Sequence, residues 1–208
     1  MKPVIIYAVL FFSIFFQNAG DIAQKTEQKL RSLLSFQAEF TQAYYSSSVS
    51  TPLKEYGKVT YKKPGLMKWT YTQPEKKIIL LMENKIQYYF IEDNQLLVQD
   101  IADEEQGQNI MSLLSGKTNI SQDYFIETNE EIVENKETYH LKLIPKNDEM
   151  ENFILLDIDK KSLFITKATF YDWAGNKQEF EFYDIKINID LSEKSFKLNL
   201  PKDVEIIK

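Results

Sequence analysis

Residues Tyr56 to Pro74 read Y-G-K-V-T-Y-K-K-P-G-L-M-K-W-T-Y-T-Q-P, and this stretch restricts the fold more than any other in the chain. Two alternating segments, Tyr56 to Lys62 and Leu66 to Thr72, flank Lys63-Pro64-Gly65, where Pro fixes φ and Gly frees it. That pattern predicts a β-hairpin. Side chains alternate across a strand, so Met67, Trp69 and Tyr71 share one face while Lys68 and Thr70 take the other. A face carrying two large aromatic rings and a methionine needs a cover, so the hairpin belongs to a larger sheet.

The neighbouring segments extend the same logic. Phe36 to Tyr44 has Phe36, Ala38 and Phe40 on one face and Gln37, Glu39 and Thr41 on the other. Lys77 to Met82 and Ile86 to Ile91 are apolar on both faces and must be covered twice. Tyr88, Tyr89 and Phe90 add aromatic area, and Leu96 to Ile101 continues the meander. Further strands are expected at Tyr124–Glu127, Thr138–Ile144, Phe153–Ile158, Leu163–Tyr171, Gln178–Ile189 and Phe196–Leu200, with hairpin loops at 157–161 and 172–176. Two helices interrupt the pattern. Asp21 to Leu34 is amphipathic through Ile22, Leu30, Leu33 and Leu34, with Asp21 as its cap, and Gln106 to Ser115 carries Ile110, Met111, Leu113 and Leu114 ahead of Gly116. The second helix suits a lid over an open apolar sheet.

Residues 4–16 are apolar or aromatic except Ser13, follow Lys2 and end near Ala19 and Gly20, which is the pattern of a secretory signal peptide. A run of 13 residues falls short of the roughly 20 that cross a bilayer. Residues 1–20 are therefore expected to be removed, leaving 21–208 as one domain, for which 208 residues supply an adequate core. The chain has no cysteine, so no disulfide, thiolate zinc site or cysteine nucleophile exists. A net charge of −6 argues against nucleic acid as the main partner.

Catalytic constellations are absent from the pattern. His140 is the single histidine, no G-x-S-x-G element accompanies it, and the acidic runs Asp103-Glu104-Glu105 and Asp148-Glu149-Met150-Glu151 lack the order of a calcium loop. No metal or cofactor is expected. The aromatic set Phe40, Trp69, Tyr71, Tyr88 and Phe90 fits a plain barrel core and the lining of an apolar ligand cavity equally well.

The order F-T-Q at Phe40 to Gln42, Gly57, K-K-P-G-L-M-K-W from Lys62 to Trp69 and T-Q-P-E from Thr72 to Glu75 resembles the LolA family of outer-membrane lipoprotein carrier proteins. Tyr89 and Phe90, the Asp172…Gly175-Asn176 turn, and Phe196 with Pro201 extend the likeness over nearly the whole mature chain. The resemblance implies a mainly β fold, an unclosed antiparallel β-barrel or curved half-barrel sheet with an α-helical lid. It implies a monomeric periplasmic carrier, not an enzyme, that binds the acyl chains of lipoproteins between sheet and helices. Phe40, Met67, Trp69, Tyr71, Tyr88, Phe90, Ile110, Met111, Leu113 and Leu114 would line the cavity. A LolCDE-type inner-membrane ABC transporter would load it, and an outer-membrane acceptor of LolB type, where present, would unload it. Many members place Arg before the hairpin proline as a contact to the lid; here that residue is Lys63, which lacks the planar fork of Arg. A carrier of another lipid or glycolipid and a lipid-active enzyme are the alternatives.

Overall fold

Residues 19–82, 85–100, 110–129, 137–147 and 151–207 are described by a computed structural model. The apolar run at 4–16, the acidic run at 103–105 and the first turn of the expected lid helix, 106–109, lie outside the described residues.

A helix, α1, occupies residues 19–32, and β1 follows at Ser35–Tyr45. The hairpin forms where its alternation places it, with β2 at Leu53–Lys62 and β3 at Leu66–Gln73. The turn between them holds a cis Lys63–Pro64 bond and Gly65 at φ 93°. The meander runs on through β4 (Lys77–Met82), β5 (Lys85–Phe90) and β6 (Gln95–Asp100). Two short helices, α2 (Ile110–Leu114) and α3 (Ile120–Asp123), precede a second meander. Its strands are β7 (Tyr124–Thr128), β8 (Thr138–Pro145), β9 (Glu151–Asp159), β10 (Ile165–Asp172) and β11 (Lys177–Ile187).

The two meanders join because β1 pairs with β11 as well as β2. The described strands form one sheet in the order β12-β6-β5-β4-β3-β2-β1-β11-β10-β9-β8-β7, where β12 is Glu205–Ile207. The terminal strands of that order do not pair with each other, so the barrel is not closed. Its curvature can be read from two rings. Trp69 on β3 and Phe180 on β11 are three strands apart, about 14 Å along a flat sheet. Their ring centroids nevertheless lie 5.7 Å apart, which requires the face carrying them to be concave.

Register assigns that face. Ala38, Val59, Trp69, Ile79 and Tyr88 pair across successive strands, as do Phe36, Tyr61, Met67, Leu81 and Ile86. The same face continues from Phe40 and Gln42 on β1 to their partners Phe182 and Phe180 on β11, and from Phe180 through Ala168 on β10 and Leu156 on β9 to Leu141 on β8. Inner residues of α1 and α2 join them in one buried cluster.

The opposite face has its own cover. Leu80 packs with Leu191 and Phe196 from the segment after β11, flanked by Leu66, Met82, Ile189 and Leu198. Lys62 Nζ donates to the Leu191 carbonyl at 2.6 Å, and Lys68 Nζ to those of Ser195 and Lys197 at 3.2 and 3.1 Å. The strap explains why the sheet's centre is apolar on both sides.

Three sequence expectations are corrected. Phe196–Leu200 is not a strand: Ser192 caps a 3-10 turn at Glu193–Phe196, and the next residues extend without ladder partners. Asp21 is not a cap, since residues 19 and 20 are already helical; it pairs with Lys25 one turn on, at 2.7 Å. The sheet is not wholly antiparallel, because β12 joins β6 in parallel.

Candidate functional site

The layer between helices and concave face is where an apolar ligand would be held. Ala19, Ala23, Thr26 and Leu30 are buried at spacings of three and four along α1, and Leu33 follows just past its end. That is one stripe of a helix. From α2, Ile110, Leu113 and Leu114 are buried and face the same cluster, while Met111 is half-buried against it. On the sheet side Phe40, Met67 and Trp69 are fully covered and Tyr71 nearly so. Phe40 meets Trp69 edge-on at 4.8 Å and Tyr71 at 5.1 Å, and Trp69 touches Phe182 at 6.2 Å. Such edge-to-face contacts suit the ring quadrupoles.

The expected lining residues thus divide. Phe40, Met67, Trp69, Tyr71, Ile110, Leu113 and Leu114 come together in the cluster, with Tyr88 and Met111 at its margin. Phe90 stays half-buried outside it, because its partners on the neighbouring strands are Lys77 and Gln95. Sequence reasoning missed Phe36, Tyr61, Phe180 and Phe182, all buried in the same layer. The strict alternation of Glu179-Phe180-Glu181-Phe182 was the available signal for the last two.

Tyr71 gives the margin its polar end. Its hydroxyl donates to Gln42 Oε1 at 2.8 Å, and Lys77 Nζ sits 4.4 Å from the ring centre while pairing with Glu55 at 2.5 Å. Burial, then the nearby Glu55 and Tyr88, holds the Tyr71 phenol well above its usual range, so it remains a neutral donor. Burial raises Tyr61 and Tyr88 as well.

A polar clasp ties α1 to the loop after α2. Arg31 Nε donates to the Gly116 carbonyl at 3.2 Å, and Nη2 reaches the Asn119 side-chain oxygen and Glu27 Oε1, the latter at 2.7 Å. Glu27 Oε2 in turn accepts from the Ser121 backbone N–H and hydroxyl at 3.1 and 3.2 Å. Gly116 has φ 71°, and a Cβ there would lie 2.7 Å from the Arg31 nitrogen, so only glycine lets loop and helix come this close. Lys63 Nζ donates to the Arg31 carbonyl at 2.8 Å, which ties the hairpin turn to the end of α1. The guanidinium that reaches the α2 loop is therefore Arg31, on α1, and Lys63 reaches α1.

Arg31 is 46% exposed, so its removal should cost only about 1 kcal/mol of stability. The same loss acts on opening, and Arg31→Met is expected to speed release of an acyl-chain probe about fivefold. Stopped-flow dilution would measure it. An unchanged release rate would show that the clasp does not control access.

Elsewhere the chemistry is spare. His140 Nδ1 lies 2.7 Å from Asp157 Oδ1, on the outer face of β8 and β9. Its Nε2 is buried and bonded to nothing among the described residues, so no hydroxyl completes a nucleophilic triad there. An outer-face depression of about 390 Å³, lined by Glu39, Tyr56, Gly57, Lys58, Thr70, Thr72 and Tyr183, is open to solvent and carries two charged side chains, unlike the enclosed apolar layer on the concave face.

Comparison with known proteins agrees with this geometry. Residues 31–199 match the family model described as outer membrane lipoprotein carrier protein LolA. The outer-membrane lipoprotein carrier protein of Francisella tularensis subsp. novicida is 27% identical over 210 residues, covering 100% of this chain and 97% of the relative. That of Coxiella burnetii is 26% identical over 191 residues, covering 91% and 88%. Among solved structures, an uncharacterized conserved protein from Thermus thermophilus superposes with a TM-score of 0.59 at 16% identity, covering 91% of this chain and 98% of that one. This last likeness concerns the fold.

Proposed function

The chain belongs to the LolA family of outer membrane lipoprotein carriers, and on that footing we propose that it carries acylated lipoproteins across the periplasm with their acyl chains held between α1, α2 and the concave sheet. Residues 1–20 act as the export signal and are removed. A LolCDE-type transporter loads the carrier, and a LolB-type acceptor or the outer membrane itself receives the cargo.

The observation that supports this reading is the single apolar layer shared by sheet and helices, with hydrogen bonds tying α1 to the loop after α2 and to the hairpin turn. Burying acyl chains there is favourable by about 0.8 kcal/mol per CH₂. Polar clasps are easily exchanged for water, so these ties can be released at small cost. No bond is made or broken, and hydrolysis of lipid esters is not expected.

Protein recovered from the periplasm should release acylated lipoprotein on denaturation, detectable by mass spectrometry, and the emptied protein should bind a fluorescent acyl-chain probe that acylated peptide displaces. Recovery of a glycolipid or free lipid instead would reassign the cargo. Absence of both cargo and probe binding would end the carrier reading.

A further inference from the structure

Two polar atoms are stranded in the layer between α1 and the sheet. Trp69 is fully buried and its Nε1–H has no acceptor among the described residues; Thr26, equally buried on the inner stripe of α1, has no partner there for Oγ1. Buried donors are almost always paired, and a helical threonine ordinarily bonds the carbonyl one turn back. Elsewhere on the same concave face a buried donor is satisfied, since the Tyr71 hydroxyl finds Gln42. The indole ring is instead packed against Phe40, Phe180 and Phe182, whose faces offer at best a weak acceptor.

We propose that the Trp69 indole N–H donates a hydrogen bond to the carbonyl oxygen of an ester- or amide-linked acyl chain, so that the site selects acyl cargo over hydrocarbon of the same length. The inference rests on the carrier reading and names what that carrier recognises. An acyl linkage drawn into an apolar layer brings a desolvated carbonyl that needs a donor, and the layer holds a donor that needs a carbonyl. In low dielectric this bond is stronger than in water. A site built around such a donor rejects an analogue that lacks the acceptor, because both partners are then left unpaired. Methylene burial alone cannot discriminate in this way.

The test uses the mature chain and two diacylglycerol probes of equal chain length, one ester-linked and one ether-linked. The parent should bind the ester about tenfold more tightly. Trp69→Phe keeps a buried ring and removes the N–H, and should bring the ester-to-ether ratio to about one. The infrared band of a ¹³C-labelled ester carbonyl should lie lower in the parent complex than in hexane, a reading that needs no variant. Equal binding of the two probes by the parent, a preference that survives in Trp69→Phe, or a bound carbonyl band at its hexane position would each overturn the inference and leave the carrier intact. Binding of neither probe would remove the carrier reading, and this inference with it.

Discussion

Trp69→Glu is expected to leave no cooperatively folded protein near neutral pH. The indole is 0% exposed and in contact with Phe40, Phe180 and Phe182 across three strands of separation. Removing so large a buried ring costs about 3–5 kcal/mol, and a carboxylate left in its place adds the cost of an unpaired charge. Against a total stability of about 5–15 kcal/mol, that is most or all of it. The charge component has a definite sign. Burial raises a carboxyl's pKa, so the charge penalty is absent below the unfolded value of about 4.3 and grows as pH rises through it towards the folded pKa. Trp69→Gln shares the cavity without the charge. The two variants should therefore behave alike on heating near pH 4 and diverge near pH 7.5, where the glutamate variant should lose its cooperative transition. A glutamate variant melting within a few degrees of the parent at pH 7.5 would show that position 69 is hydrated, with α1 standing away from the sheet in solution.

The same residue shows how far the sequence could be read. Alternation alone puts Met67, Trp69 and Tyr71 on one face, and Lys63-Pro64-Gly65 puts the turn where it is. Local chemistry decides both. What alternation cannot supply is the partner of β1. Phe40 pairs with Phe182, more than 140 residues away, and that register follows from burying both inner faces together. Without it the concave layer and the contact of Trp69 with Phe180 are invisible. The segment from 196 to 200 alternates like a strand, yet the carbonyls of Leu191, Ser195 and Lys197 are taken by Lys62 and Lys68 side chains, so it straps the outer face instead of joining the sheet. Glu27 and Arg31 stand four apart on a helix, which the sequence shows; that they clasp Ser121 and Gly116 depends on where α1 docks. Lys63 in a position often held by Arg suggested a weaker lid contact. A guanidinium on the adjacent helix makes that contact from the other side, and no spacing rule links residues 31 and 116.

Gly57→Val is expected to be the most damaging single change on β2, because a backbone position there is reserved for an aromatic ring from the next strand. Gly57 pairs with Phe40 on one side and Tyr71 on the other, at a break in the β2–β3 register between Tyr56 and Gly57. A Cβ at 57 would lie 2.3 Å from the Thr70 carbonyl oxygen and 2.9 Å from two atoms of the Phe40 ring. Neither contact is tolerable: the first pushes the β2 and β3 backbones apart, and the second pushes the Phe40 ring aside. Moving it would break the edge-on contacts of Phe40 with Trp69 and Tyr71 at 4.8 and 5.1 Å, on which the inner layer is built. Overpacking of this kind costs about 1–3 kcal/mol, and the lost aromatic contacts bring the expected total to about 4. For a chain of this size that lowers the melting temperature by roughly 8–16 °C. Because part of the damage passes through the Phe40 ring, adding Phe40→Leu should recover that part and leave the Thr70 backbone clash, a coupling that a double-mutant cycle would measure. Strict additivity of the two changes, or a Gly57→Val variant as stable as the parent, would show that the ring does not rest on the glycine and that the inner layer is assembled differently.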